Sequence, residues 1–141
     1  MGRAAVLALL VTPFASAGCQ SPTAPPEPPG GGQSLNLSFA EYENTVAPVL
    51  SRHGCDAGGD CHGGGIRGSL RLTPVDGKDL RADFDQVALQ VSAASPEASP
   101  ILTEPLALDA GGTPHQVKPF ATTADSGYLA IRRWILAGVP R

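Results

Sequence analysis

Cys55-Asp56-Ala57-Gly58-Gly59-Asp60-Cys61-His62, followed by Gly63-Gly64-Gly65, is the stretch on which the reading of the whole chain turns. Two thiols and an imidazole so close together can serve a c-type haem. The sulfurs add to the vinyl groups and the adjoining histidine coordinates iron, so all three side chains must converge on one porphyrin edge. The common form of this motif has two residues between its cysteines, whereas five stand here. Gly58 and Gly59 can take positive φ at little steric cost, which would let the surplus residues fold outward. Two other chemistries suit the same side chains. In an oxidising compartment Cys55 and Cys61 could close a disulfide loop, leaving His62 an ordinary turn histidine. Cys55, Cys61, His62 and one further histidine would also make up a zinc ligand set, although structural zinc sites use shorter and more regular spacings. Local spacing leaves the three readings open.

The residues upstream bear on the compartment. Arg3, the apolar run Ala4 to Val11 and the small residues Ala15-Ser16-Ala17-Gly18 read as a secretory signal peptide. The run is too short to span a bilayer. Ala15 and Ala17 suit cleavage after Ala17, while Gly18-Cys19 is like the bacterial lipobox, with Ser16 where a bulky aliphatic residue is usual. The chain has three cysteines. Acylation of Cys19 accounts for the odd one and leaves Cys55 and Cys61 as a pair. Ser21 to Gln33, with Pro25-Pro26-Glu27-Pro28-Pro29 and Gly30-Gly31-Gly32, cannot bury a core and reads as a partly stiff spacer. The expected organisation is a signal peptide over 1–18, a lipidated tether over 19–36 and one domain over 37–141. Several acyl chains on one cysteine would anchor such a protein stably.

Loss of Arg3 with the leader takes the formal charge from −3 to −4, and the chain carries no basic run. Nucleic acid is therefore not an expected partner. The domain is short of large apolar side chains, its aromatics being Phe39, Tyr42, Phe84, Phe120, Tyr128 and Trp134. A thin core of this size usually needs a staple, and a buried haem or a disulfide would each serve.

Periodicity predicts helices at both ends and a loop-rich middle. Ser38 and Glu41 form a capping box, and Phe39, Tyr42, Val46, Val49 and Leu50 follow at helical spacing. Pro48 should kink or restart this helix, and Gly54 should end it. Near the C-terminus, Asp125 or Ser126 caps a helix whose apolar stripe is Tyr128, Ile131, Trp134 and Ile135, with Arg132 and Arg133 toward solvent. A middle helix is expected near Phe84 to Val91, and Leu70-Arg71-Leu72 is a candidate extended segment. Asp76, Asp79, Asp83 and Asp85 read as a solvated acidic face, because they lack the glycine and terminal glutamate of a calcium loop.

Six short patterns occur in one order: Val46-Ala47-Pro48-Val49-Leu50, Cys61-His62-Gly63, Gly68-Ser69-Leu70-Arg71-Leu72, Pro96-Glu97-Ala98-Ser99-Pro100-Ile101-Leu102, Gly112-Thr113-Pro114-His115 and Trp134-Ile135-Leu136-Ala137-Gly138. From Ser38 onward the chain thereby resembles the small cytochrome c-like domains of bacterial exported proteins, many of them lipoproteins. The resemblance implies an all-α fold with its N- and C-terminal helices packed together. It also implies one covalent haem c, with Cys55 and Cys61 as attachment residues and His62 as proximal iron ligand. Cys55 stands at an unusual distance from Cys61, so attachment through Cys61 alone is the variant to test. The only methionine is Met1, which leaves with the signal. His115, late in the chain where related domains often carry histidine, is therefore the expected second ligand, and His53, beside the haem motif, is the remaining histidine.

The expected function is electron transfer, with redox proteins as partners and Cys19 holding the chain at the periplasmic face of a bacterial membrane, expected to be the outer one. No enzyme is expected. Ser99, Asp85 and His115 have no nucleophile elbow around them, and a peroxidase would need an open iron position. The rival reading is a haem-free binding or structural lipoprotein stapled by a Cys55–Cys61 disulfide.

Overall fold

Ser38 begins the first helical run, because its side chain accepts a hydrogen bond from the Glu41 amide and so satisfies one of the unpaired donors at a helix start. In the computed structural model, which describes residues 34–59, 61–64 and 68–140, this run has three parts. They are α1 (Phe39–Glu41), a π-helical stretch (Tyr42–Val46) and α2 (Ala47–Arg52). The wider turn falls just before Pro48, whose ring has no N–H and crowds the carbonyl four residues back. Pro48 thus neither breaks the helix nor restarts it after a gap: the backbone widens and continues. Asn44 and Thr45 donate side-chain hydrogen bonds to the carbonyls of Ala40 and Glu41 in the same stretch. The expected signal peptide over 1–18, Cys19 and the proline-rich stretch to Gln33 lie outside the described residues, as do residues 60, 65–67 and 141.

Further along, α3 spans Leu80–Ala88, slightly earlier than the expected middle helix, because Asp79 caps it by accepting from the Arg81 and Ala82 amides. A 3-10 turn (Pro96–Ala98) leads into the short α4 (Pro100–Thr103), a second 3-10 turn covers Leu108–Ala110, and α5 spans Ser126–Leu136 with Asp125 as its cap. Among the described residues the fold is mostly helical with one small sheet. The small helical domain expected is present, with this two-stranded sheet added to it. Strand β1 (Leu35–Asn36) pairs antiparallel with β2 (Val139–Pro140), so Leu35 and Asn36, assigned on composition to the tether, are tied to the end of the domain. Leu70-Arg71-Leu72 alternates buried, exposed, buried but pairs with no strand among the described residues. No helix among the described residues is long and apolar enough to cross a membrane.

The core lies where α5 crosses the first helical run. Tyr128, Ile131, Trp134 and Ile135 are all buried, as are Tyr42, Val46, Val49 and Leu50 opposite them. Trp134 stacks at a tilt on Tyr42, 5.8 Å between ring centres, and its indole N–H donates to the Ser38 carbonyl at 2.9 Å. Phe39 and Phe84 complete an aromatic cluster, with the Arg81 guanidinium 5.0 Å and 5.2 Å from their ring centres. Such packing of rings and a cation adds to the aliphatic core of Val46, Leu50, Ile131 and Ile135.

Candidate functional site

Cys55 follows directly on the end of the first helical run, its amide donating to the Leu50 carbonyl at 2.9 Å. The loop after it closes on itself: the Ala57 amide donates to the Gly54 carbonyl, the His62 amide to the Cys55 carbonyl and the Gly63 amide to the Ala57 carbonyl. Gly63 is required here, because a Cβ on it would overlap the Asp56 carbonyl oxygen. Gly59 takes positive φ and is exposed, as the outward bulge demands. Asp56 does the opposite. It is 2% exposed and turns inward, which corrects the expectation that the whole surplus loops outward.

The loop brings its functional side chains to one cavity of about 390 Å³, lined by His53, Cys55, Cys61, His62 and, from far along the chain, His115. Leu50, Leu70, Ile101 and Phe120 line an apolar recess beside it that Cys55, His62 and His115 also touch. Both cysteines are free thiols and half-buried. Burial, then the neighbouring Asp56 and Cys61, pushes the Cys55 thiol up to about 11. Cys55 is therefore held as the thiol at neutral pH.

His62 and His115 face the cavity with ring centres 5.9 Å apart and planes 20° from parallel. Each ring is fixed in the same way. The Nδ1–H of His62 donates to the Leu70 carbonyl at 3.0 Å, and that of His115 to the Val117 carbonyl at 2.8 Å. This sets the tautomer and leaves Nε2 of each ring as the nitrogen with a lone pair to offer, the usual arrangement of a metal-binding histidine. The residues present therefore fit a group whose metal asks the protein for two nitrogens. Among the described residues no three His, Cys, Asp or Glu side chains stand close enough together to hold a metal ion by themselves.

The His115 loop owes its position to contacts that the sequence did not advertise. Leu106 and Phe120 form a parallel bridge at its base, the Ala107 amide donates to the Phe120 carbonyl, and the Phe120 amide to the Pro105 carbonyl. Gly112 packs so closely on Leu106 that a Cβ would overlap its carbonyl. Lys118 closes the loop from within, its ammonium donating to the carbonyls of Glu104 and Thr113. His53, the third histidine, sits edge-on to Phe120, 5.2 Å between ring centres.

Two other readings are corrected or set aside by geometry. The acidic residues 76 to 85 do not form one solvated face: Asp79 caps α3, and Asp83 is 1% exposed and paired with Lys78. Ser99 is fully buried, its hydroxyl donating to the Pro96 carbonyl and accepting from the Ser92 amide. A larger groove of about 730 Å³ along Gly63, Arg71, Leu72 and Asp83 carries neither cysteine nor histidine. Set beside known protein families, characterised proteins and solved structures, the chain matches none of them.

Proposed function

We propose that this chain is a haem c-binding electron-transfer protein with a small cytochrome c-like domain, held by lipid on Cys19 at the periplasmic face of a bacterial membrane. One observation carries the reading: Cys55, Cys61, His62 and His115 line a single cavity, and both histidines have Nδ1 held by a backbone carbonyl. In this reading Cys61 and Cys55 would hold one haem covalently, and His62 and His115 would supply the nitrogens for its iron. A haem so held supplies a one-electron couple, and two histidine ligands without a thioether place its potential comparatively low.

The protein's own residues do the rest. The carbonyls of Leu70 and Val117 orient the imidazoles and raise their basicity. Leu50, Leu70, Ile101 and Phe120 keep water from the inner side of the cavity. Two histidines committed to the iron would leave no open coordination position for a substrate, which favours a carrier over a catalyst. A mildly acidic chain, net −3, suits redox proteins as partners rather than nucleic acid.

Protein matured where haem attachment is available should keep one haem mass on the polypeptide after acid–acetone extraction, read by mass spectrometry. A colourless product two mass units below its reduced form would instead establish the haem-free lipoprotein with a Cys55–Cys61 disulfide. The anchor has its own measurement. Wild type should fractionate with membranes and Cys19→Ala should not, and a mature chain beginning at Gly18 would remove the anchor from the proposal.

A further inference from the structure

Lys78 sits at the centre of a buried charge cluster that neither the cavity nor the core accounts for. Its ammonium lies 2.7 Å from Asp56 Oδ2 and 2.9 Å from Asp83 Oδ2, and donates to the Thr73 carbonyl at 2.9 Å. The two carboxylates are 2% and 1% exposed and Lys78 is 23% exposed. Asp56 Oδ2 also accepts from the Ser51 hydroxyl at 2.5 Å, and Asp83 Oδ1 from the Thr73 amide at 2.6 Å. Three charges withdrawn from water cost free energy that their mutual attraction only partly returns, so such a cluster is poor evidence of stability for its own sake. What it does hold is one place in the chain. Asp56 is the residue after Cys55, and the cluster ties it backward to α2 through Ser51 and forward to α3 through Lys78 and Asp83. Past that point the loop runs through Gly58 and Gly59, where the backbone has the most freedom to lose.

We propose that Lys78 is a positioning residue: through Asp56 it fixes Cys55 at the cavity, so that an unusually long Cys–Cys loop can present both thiols to one haem edge. The proposal rests on the haem reading above. In the step it serves, the Cys55 S–H adds across a vinyl C=C: sulfur bonds to one carbon, hydrogen to the other, and no net electrons are exchanged. That addition needs a reduced thiol held in place, and the free Cys55 thiol meets the requirement.

The test uses the full-length mature chain as wild type, Asp56→Asn, Lys78→Met, Lys78→Arg and Ser51→Ala. Before haem loading, native-state alkylation by iodoacetamide is followed by peptide mass spectrometry, which reads Cys55 and Cys61 separately, with circular dichroism confirming retained helix. Cys55 should react about tenfold faster in Asp56→Asn and Lys78→Met, the factor given by weakening the closed loop by ~1.4 kcal/mol. Cys61 should change less, and Lys78→Arg should stay near wild type. After loading, the pyridine haemochrome band of Asp56→Asn and Lys78→Met should move from the two-thioether toward the one-thioether position, with the haem retained on Cys61. Should either variant unfold, Ser51→Ala, which removes a single hydrogen bond to Asp56, must still accelerate Cys55 selectively. Unchanged Cys55 reactivity in folded variants, or an unshifted haemochrome band, overturns the proposal. Selective acceleration in a protein that takes up no haem would sink the haem reading and leave the positioning of Cys55 standing.

Discussion

In the proposed haem protein His115 separates an electron carrier from a ligand-binding protein, and two features of its ring give it that weight. Its Nδ1–H is already committed to the Val117 carbonyl at 2.8 Å, and its ring centre lies 5.9 Å from that of His62. The haem-loaded wild type should therefore be low-spin, and His115→Ala should be high-spin and bind carbon monoxide readily once reduced. His53→Ala is the control, because His53 lines the same cavity while lying edge-on to Phe120. A His115→Ala protein that stays low-spin, with His53→Ala disturbed instead, would move the distal role to His53. The sequence singled out His115 by the absence of any methionine but Met1 and by its likeness to related loops. It did not indicate the carbonyl partners of either ring, because Leu70 and Val117 are apolar residues that serve only through their backbone. Asp56 was misjudged for a related reason. An aspartate among glycines reads as a solvated turn residue, and its burial depends on Lys78, 22 residues further on.

At the level of elements, the helices at both ends were legible and the loops between them were not. Ser38, Asp125 and the stripes of apolar residues carry local signals, so the caps and the buried faces could be read directly. The widened turn at Tyr42–Val46 could not, since proline announces only that a regular helix is disturbed, and the tertiary contact with α5 decides how. The β1–β2 pairing was equally hidden, because two-residue strands carry no period and their partners are separated by nearly the whole domain. The loop from Leu106 to Phe120 is the element on which the site depends most. Its one charged strut is Lys118, hydrogen-bonded to carbonyls at both sides. Hydrogen bonds to a charged group contribute roughly 1.5–3 kcal/mol each. Lys118→Met should therefore lower the unfolding free energy by at least one such increment and give a mixed-spin spectrum, while covalent haem content stays at the wild-type level. Denaturant titration and absorption spectra check both. A uniformly low-spin Lys118→Met protein would show that His115 is held without this strut.

Across the whole molecule, the Asp56–Lys78–Asp83 cluster joins α2, the cysteine loop and the start of α3, so its protonation should be felt as global stability. Burial alone would raise the Asp56 pKa, but the hydrogen bonds from Lys78 and Ser51 and the Lys78 charge outweigh it and hold the carboxyl below the usual range. Lys78 is pulled the other way, since its two carboxylate partners outweigh burial and hold it above the ordinary lysine value. Tyr42 is also held above its usual value by burial and by Asp83 and Asp56, so it stays neutral and adds no charge across the working range. The signs follow by linkage. Asp56 binds its proton more weakly folded than unfolded, so its contribution is complete above about pH 3.9 and is lost as pH falls through its lowered folded value. Lys78 binds its proton more tightly when folded, so its contribution is complete below about pH 10.4 and is lost as pH rises through its raised value. Between those limits the cluster should contribute a constant amount. Asp56→Asn, which leaves Lys78 paired with Asp83, should cost about 1.5–3 kcal/mol in that window. Thermal unfolding of wild type and Asp56→Asn across pH should then show a gap that is flat from about pH 5 to 9 and narrows only beyond the carboxylate and lysine limits. A gap that already closes on going from pH 7 to 5 would mean that Asp56 titrates as an ordinary or raised carboxyl, and that Lys78 does not hold it as the structure has it.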